Sequence, residues 1–431
     1  MLVRRRAPLP SSLSNVSGRL SPAGIAGLWA SQTGLAVAFV AVSLFFLPFV
    51  FSQEPRWSLI YIIAGVSLFF IRELPKPAYI GLLFIAWCAL SLAWSPDPRE
   101  GLVGLSSMVA LWAVFVLFWK HGTLEVLFWG AMIAVPGAIA MDFLLPGQEA
   151  GFGNQNWTSE WLLLCLPFLL LRWYGLPTAV AAAVYLAWFN PSYIEIAVLA
   201  GLIFVICIYH RLWVFVGLIV AAFGALLYVG PDFLGPDLLS SFKSRIEIFL
   251  NTTFLWAESP IIGHGLGSLN YEYGRVQEMH LNLFPGWGTQ MFPITVYVGA
   301  THNEILQGLT EIGLVGVSLA AWLLWSLRRH PLSPAAGTLI IAGVLCLVAF
   351  PLQTPSSAFV IAAALGITAQ GSPAVSWASL YSQWSGPLLR LIGSSLKSSS
   401  SWRRMLSGRY RPISTRTTHS RWRPNIGDNS Y

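Results

Sequence analysis

Charge is what this sequence has least of. Only 10% of its 431 residues are Asp, Glu, Lys or Arg, against roughly 25% in a soluble domain. So few charges cannot clothe a water-facing surface, which excludes an ordinary soluble globular protein. Cysteine is scarce too. Cys88, Cys165, Cys207 and Cys346 all fall inside apolar runs, and none has metal-ligand spacing. They read as small core residues. No metal, cofactor or nucleic-acid partner is expected. The first 33 residues are polar and basic, with no small-residue cleavage site after a short apolar core. No cleavable signal peptide is therefore expected. The two halves share no matched Gly/Pro-broken segments, so the internal repeat of many transporters is not visible.

What is abundant is apolar sequence: 55% of residues are hydrophobic and the mean hydropathy is +0.65. Apolar runs able to cross about 30 Å of hydrocarbon recur along the chain. Each must be a helix, because lipid offers no partner for backbone N–H and C=O groups. The sequence thus predicts an all-α, polytopic transmembrane helical bundle of about 12 spans, at 34–51, 57–71, 78–94, 101–119, 123–145, 157–171, 176–189, 193–209, 212–229, 304–326, 335–350 and 356–370.

Basic residues set the orientation. With the N-terminus inside, 20 of the 25 Lys and Arg fall on the cytoplasmic side and 5 on the other. Both termini are therefore expected in the cytoplasm. The segments are a basic N-terminus (1–33), spans one to nine (34–229), one large outer loop containing short helices (230–303), spans ten to twelve (304–370) and a basic tail (371–431). The tail, with nine bases and one acid, is expected to be disordered. It either rests on anionic lipid or serves only as an orientation signal.

Three polar clusters stand out on the outer side. The first lies in the loop. Residues 240–256 read as a helix capped by Ser240 or Ser241, with Phe242, Ile246, Phe249, Leu250 and Phe254 as its apolar stripe. Arg245 lies beside that stripe. It is either a snorkelling surface arginine or a guanidinium held at the membrane surface, whose five fixed donors suit phosphate oxygens. Pro260 ends the helix and "GHGLGS" follows. Gly263, Gly265 and Gly267 permit positive φ and a close backbone approach. No strand precedes them, so this is no dinucleotide fingerprint.

The second cluster is "THNE". Thr301 and Glu304 have capping-box spacing, making Thr301 the expected N-cap and His302 the first helical residue. The positive helix end favours a neutral imidazole, the form a general base needs. The alternative is a polar cap residue with no chemistry. The third cluster places Gly151, Gly153, Asn154 and Asn156 in an outer loop, with Trp157 and Glu160 entering the next helix. A carboxylate one turn into a span is costly and marks a functional candidate. Glu195 and Asp142 are similar cases on the same side.

Together these segments resemble the O-antigen ligase and polymerase superfamily of bacterial envelope proteins. "GFGNQNWTSEWLLLCLP" (151–167) is similar to that family's G-x-x-x-N-x-N followed by an apolar helix ending in proline. "SRIEIFLNTTFLWAESPIIGHGLGS" (244–268) resembles its arginine, aromatic-rich helix and P-x-x-G-x-G-x-G. "THNEILQGLTEIGLVG" (301–316) is similar to H-N-x-x-L-x-x-x-x-E-x-G-x-x-G. The motifs cover about 150–320, and the first four spans and the tail match by hydropathy alone.

The resemblance implies a multi-pass glycosyltransferase of the bacterial inner membrane with its active site in the periplasm. Such a protein moves a glycan from undecaprenyl pyrophosphate to lipid A–core or a similar acceptor, without metal or nucleotide. His302 matches the family's histidine, the base for the acceptor hydroxyl. Arg245 matches the arginine that binds the pyrophosphate. Asn154, Asn156, Glu160, Asn303 and the three glycines are carried along as substrate-binding. The sequence departs from the pattern at "NPSYIEIAV", where Tyr193 stands in place of the arginine of a Ser-Arg pair. Arg275 is the expected replacement. An O-antigen or exopolysaccharide polymerase of the same superfamily, a polysaccharide transporter and a non-enzymatic assembly factor are the alternatives.

Overall fold

The structure, a computed structural model, describes residues 32–44, 53–68, 71, 73–144, 154–189, 236–283, 301–327 and 333–371. The expected spans at 193–209 and 212–229, and with them Ser192, Tyr193 and Glu195, lie outside the described residues, as do Gly151 and Gly153. All regular structure in the described residues is helical. Twelve α-helices appear: α1 (Gln32–Leu44), α2 (Gln53–Leu68), α3 (Lys76–Ser91), α4 (Pro98–His121), α5 (Leu124–Leu144), α6 (Gln155–Leu169), α7 (Leu176–Phe189), α8 (Pro236–Glu258), α9 (Leu269–Leu283), α10 (Glu304–Ser326), α11 (Pro334–Val348) and α12 (Pro355–Ala369).

Among the described residues, four helical stretches are long and apolar enough to cross a membrane: Lys76–Trp94, which continues α3, together with α4, α5 and α10. Shorter apolar helices include α1, α11, α12 and Trp173–Phe189, which contains α7. Local sequence explains their ends. Asp97 caps α4 by accepting from Glu100 N at 3.2 Å, with Pro98 at the first helical position. Lys120 occupies the last turn of α4, where positive charge suits the carbonyl end.

The main core is centred on α12, almost every residue of which is buried. Its Phe359 meets Phe39 of α1 and Phe118 of α4 edge to face, with ring centroids 6.2 and 5.7 Å apart. Truncating such a ring to alanine costs about 3–5 kcal/mol. Gly366 lets α12 lie against α4: a Cβ there would stand 2.4 Å from Phe115 O. Small residues at such crossings let backbones approach.

Helices α8 and α9 form a hairpin with its own small core of Ile248, Leu255, Leu269, Tyr273 and Val276. Two expectations for this region are corrected. The helix begins at Pro236, not at a serine cap, since proline's fixed φ suits the first helical turn. The buried face of α8 carries Glu247, Ile248, Asn251, Thr252 and Leu255, whereas Phe254 of the expected stripe is 45% exposed. The face is polar because its neighbours supply partners. Gln277 donates to Glu247 at 2.9 Å, Asn251 to Tyr273 Oη at 3.1 Å, and Thr310 of α10 to Thr252 O at 3.3 Å. The second helix of this loop, α9, has no position of its own in the sequence pattern, because its charged residues mask the apolar series Leu269, Tyr273 and Val276.

Candidate functional site

The "THNE" segment does not form the expected capping box. Asn303 is the N-cap of α10, accepting from Leu306 N at 2.9 Å. Thr301 instead closes a local turn, accepting from Asn303 N at 3.3 Å and donating to Asn303 O at 2.6 Å. Asparagine is the better cap, and its side chain reaches N3 where the threonine is two residues too early. The carboxylate of Glu304 turns away and accepts from Leu352 N at 3.0 Å. His302 therefore precedes the helix. Its φ is 53°, which among the described residues no other non-glycine residue matches in sign. A side-chain-bearing residue held in the left-handed region stores strain, and such strain clusters at functional sites.

The turn between α11 and α12 gathers the two principal candidates. Phe350 O accepts from Gln353 N at 3.0 Å, with Pro351 between them, closing a β-turn. The His302 ring packs against Phe350, centroids 5.0 Å apart, and Phe350 in turn meets Trp157 of α6 at 6.4 Å. Arg245 of α8 donates from Nη1 to Val348 O at 3.3 Å, two residues from Phe350. Burial, joined by the positive charge of Arg245, pushes His302 down to about 4. The imidazole is thus neutral at neutral pH, with a cation beside it.

Asn154 caps α6, accepting from Asn156 N at 2.8 Å. Glu160 is buried in the first turns of that helix. Asp142 accepts from Tyr185 Oη at 2.9 Å. Arg275 lies on the exposed side of α9, bound to Glu258 at 2.5 Å and Glu272 at 2.7 Å. Those two carboxylates hold its guanidinium above the ordinary range. Its described contacts are to these acids, not to Arg245 or His302.

The glycine turn, expected to approach substrate, approaches the protein's own backbone. α10 is broken at Gly313 (φ 66°, ψ −175°), and the turn enters the break. His264 N donates to Thr310 O at 2.9 Å and Gly265 N to Glu311 O at 2.8 Å. On the far side, Leu314 N donates to Pro260 O at 3.0 Å and Val315 N to Ile261 O at 3.2 Å. Trp87 of α3 satisfies Ile312 O at 2.9 Å. Gly263, Gly265 and Gly267 all have positive φ. A Cβ on them would stand 2.4 Å from Glu311 O, 2.5 Å from Ser95 Cα and 2.4 Å from Gly101 N, respectively. Backbone leaving a helix inside an apolar bundle must be satisfied by neighbours, and the turn does this. It locks α8, which carries Arg245, onto α10, which follows His302.

Sequence reasoning missed Glu311. Its carboxylate accepts from Gly267 N at 3.1 Å and from Gln307 Nε2 at 3.0 Å. The signal was present: a carboxylate inside an apolar helix, as at Glu160. Phe350, Val348 and Gln353 carry no such signal, because a tight turn between apolar helices has no distinctive spacing. Among the described residues, no cluster of His, Cys, Asp and Glu could hold a metal ion. No protein-family model matches the chain, and no curated protein is significantly similar to it.

Proposed function

We propose that the chain is an inner-membrane glycosyltransferase of the O-antigen ligase type, moving a glycan from undecaprenyl pyrophosphate to an acceptor hydroxyl on the periplasmic face. The observation that carries this reading is the pairing of Arg245 and His302 on one turn. A cation for an anionic leaving group and a neutral imidazole for a hydroxyl proton are the two groups the transfer needs. The several apolar helices and the positive-inside count support a multi-pass protein with 230–303 outside. The three sequence motifs support the choice of family.

The reaction runs as one displacement. The acceptor oxygen attacks the anomeric carbon of the donor sugar while His302 takes the hydroxyl proton. The bond from anomeric carbon to phosphate oxygen breaks, and its electron pair leaves on undecaprenyl pyrophosphate. The Arg245 guanidinium balances the charge gathering there, a role in which its fork of donors matches phosphate oxygens. A polymerase would use the same groups with a second glycan repeat as acceptor in place of lipid A–core.

A knockout complemented with wild type, His302→Ala or Arg245→Ala tests this, with surface polysaccharide and lipid-linked glycan resolved on gels. Both variants are expected in the membrane at wild-type levels, accumulating lipid-linked glycan and lacking the transferred product. Full restoration of product by His302→Ala would overturn the assignment. The length of the stalled glycan separates ligase from polymerase.

A further inference from the structure

We propose that Gln353 belongs to an acceptor subsite, where its side-chain carbonyl receives a hydroxyl of the incoming sugar beside His302. This rests on the transferase reading and adds a residue that reading does not contain.

The direction of a hydrogen-bonded line fixes the orientation of the amide. Glu311 takes an N–H from Gly267 on one oxygen and an N–H from Gln307 on the other. Gln307 gives that bond with its amino group, so its carbonyl turns outward. Gln353 meets that carbonyl with its own Nε2 at 2.9 Å. Each amide of the pair thus donates inward, Gln307 to Glu311 and Gln353 to Gln307. What remains at the exposed end of the line is the Gln353 carbonyl oxygen. Each bond donated inward polarises the next amide and makes that oxygen a better acceptor.

Its position suits the acceptor and not the donor. Gln353 closes the turn that begins at Phe350, and His302 packs on the Phe350 ring. A sugar is an array of hydroxyl donors. One of them can be held by a carbonyl while a neighbouring one gives its proton to the imidazole. The donor's pyrophosphate is anionic and belongs with Arg245, away from the Glu304 carboxylate.

The test uses full-length protein in lipid nanodiscs, undecaprenyl-pyrophosphate glycan extracted from the host as donor, and titrated lipid A–core glycolipid as acceptor. If lipid A–core does not accept, the glycan repeat is titrated instead. Gln353→Met keeps the side chain's length on an exposed position and removes the amide. Loss of one neutral hydrogen bond predicts an acceptor KM raised about five- to tenfold, with donor KM within about twofold. Gln307→Met, which frees the amide to turn, should raise acceptor KM by a smaller factor. If acceptor KM stays within about twofold in Gln353→Met, or donor KM rises equally, the subsite is refuted. If the wild type transfers glycan to neither acceptor, the transferase reading itself fails.

Discussion

Replacing Gly263 with alanine tests the glycine wedge without reference to function. Its φ of 72° is one that alanine adopts at a cost of about 1–2 kcal/mol. The added Cβ would stand 2.4 Å from Glu311 O, 2.5 Å from Glu311 C and 2.6 Å from Gly313 N. All three are backbone atoms, so no side chain can swing aside. Relief requires the turn to withdraw from the break, which strains the bonds from His264 N to Thr310 O and Gly265 N to Glu311 O. A buried backbone group left without its partner costs about 1–3 kcal/mol. With one of those two bonds lost, the sum is about 2–5 kcal/mol at this junction. Gly274 is the control. It lies inside α9, and a Cβ added there would meet nothing within 4 Å, so Gly274→Ala should gain about 0.5–1 kcal/mol from helix propensity. Thermal stability of detergent-solubilised protein, followed by size-exclusion of a fluorescent fusion, reads both. Gly263→Ala should melt well below wild type and Gly274→Ala at or above it. Equal melting of all three would show that the turn does not sit in the break.

The acidic limb of the pH profile follows from His302. Its proton affinity is lowered by burial and by Arg245, so the neutral form persists as pH falls below the usual histidine range and is lost only near 4. Initial rates of transfer should therefore hold between pH 6.5 and 5, where an ordinary histidine base would already be failing; a limb centred near 6.5 would contradict this placement. Arg275→Ala should leave transfer within about threefold of wild type, because its charge is already matched by Glu258 and Glu272 and exposed pairs contribute little. A loss as deep as that of Arg245→Ala would restore Arg275 as the replacement arginine.

Much of the helical architecture was legible because lipid and core burial impose the same apolar runs. α12, expected at 356–370 and found at Pro355–Ala369, needed no tertiary knowledge, since uniform apolarity and a proline at its start suffice. The hairpin was harder. A stripe drawn through the aromatics of α8 misses a buried face that includes Glu247, Asn251 and Thr252. Periodicity ranks positions by hydrophobicity, and it fails where neighbours offer hydrogen bonds. Burial holds the Glu247 carboxyl above its usual range, opposed by the bond from Gln277, and no sequence window contains both residues.

The site divides along the same line. His302 and Arg245 could be nominated from residue type and motif, but the turn that joins them could not, because Val348 and Phe350 are ordinary apolar residues there. The glycines show the converse. Their positive φ was legible and the object they approach was not, since a glycine reports that something comes close without saying what. Here it is the broken backbone of α10, and that changes what the motif is for. Substrate contact would leave the break in α10 to be satisfied by something else. A wedge satisfies it and fixes α8 against α10 at once, with Gly313 closing from the other side, where a Cβ would stand 2.3 Å from Ile261 O. The glycine turn and the E-x-G of "TEIGLVG" are then two halves of one joint. The fit of Arg245 to His302 depends on that joint, so damage to the glycines should weaken transfer through misplacement of Arg245 and not through loss of a ligand contact.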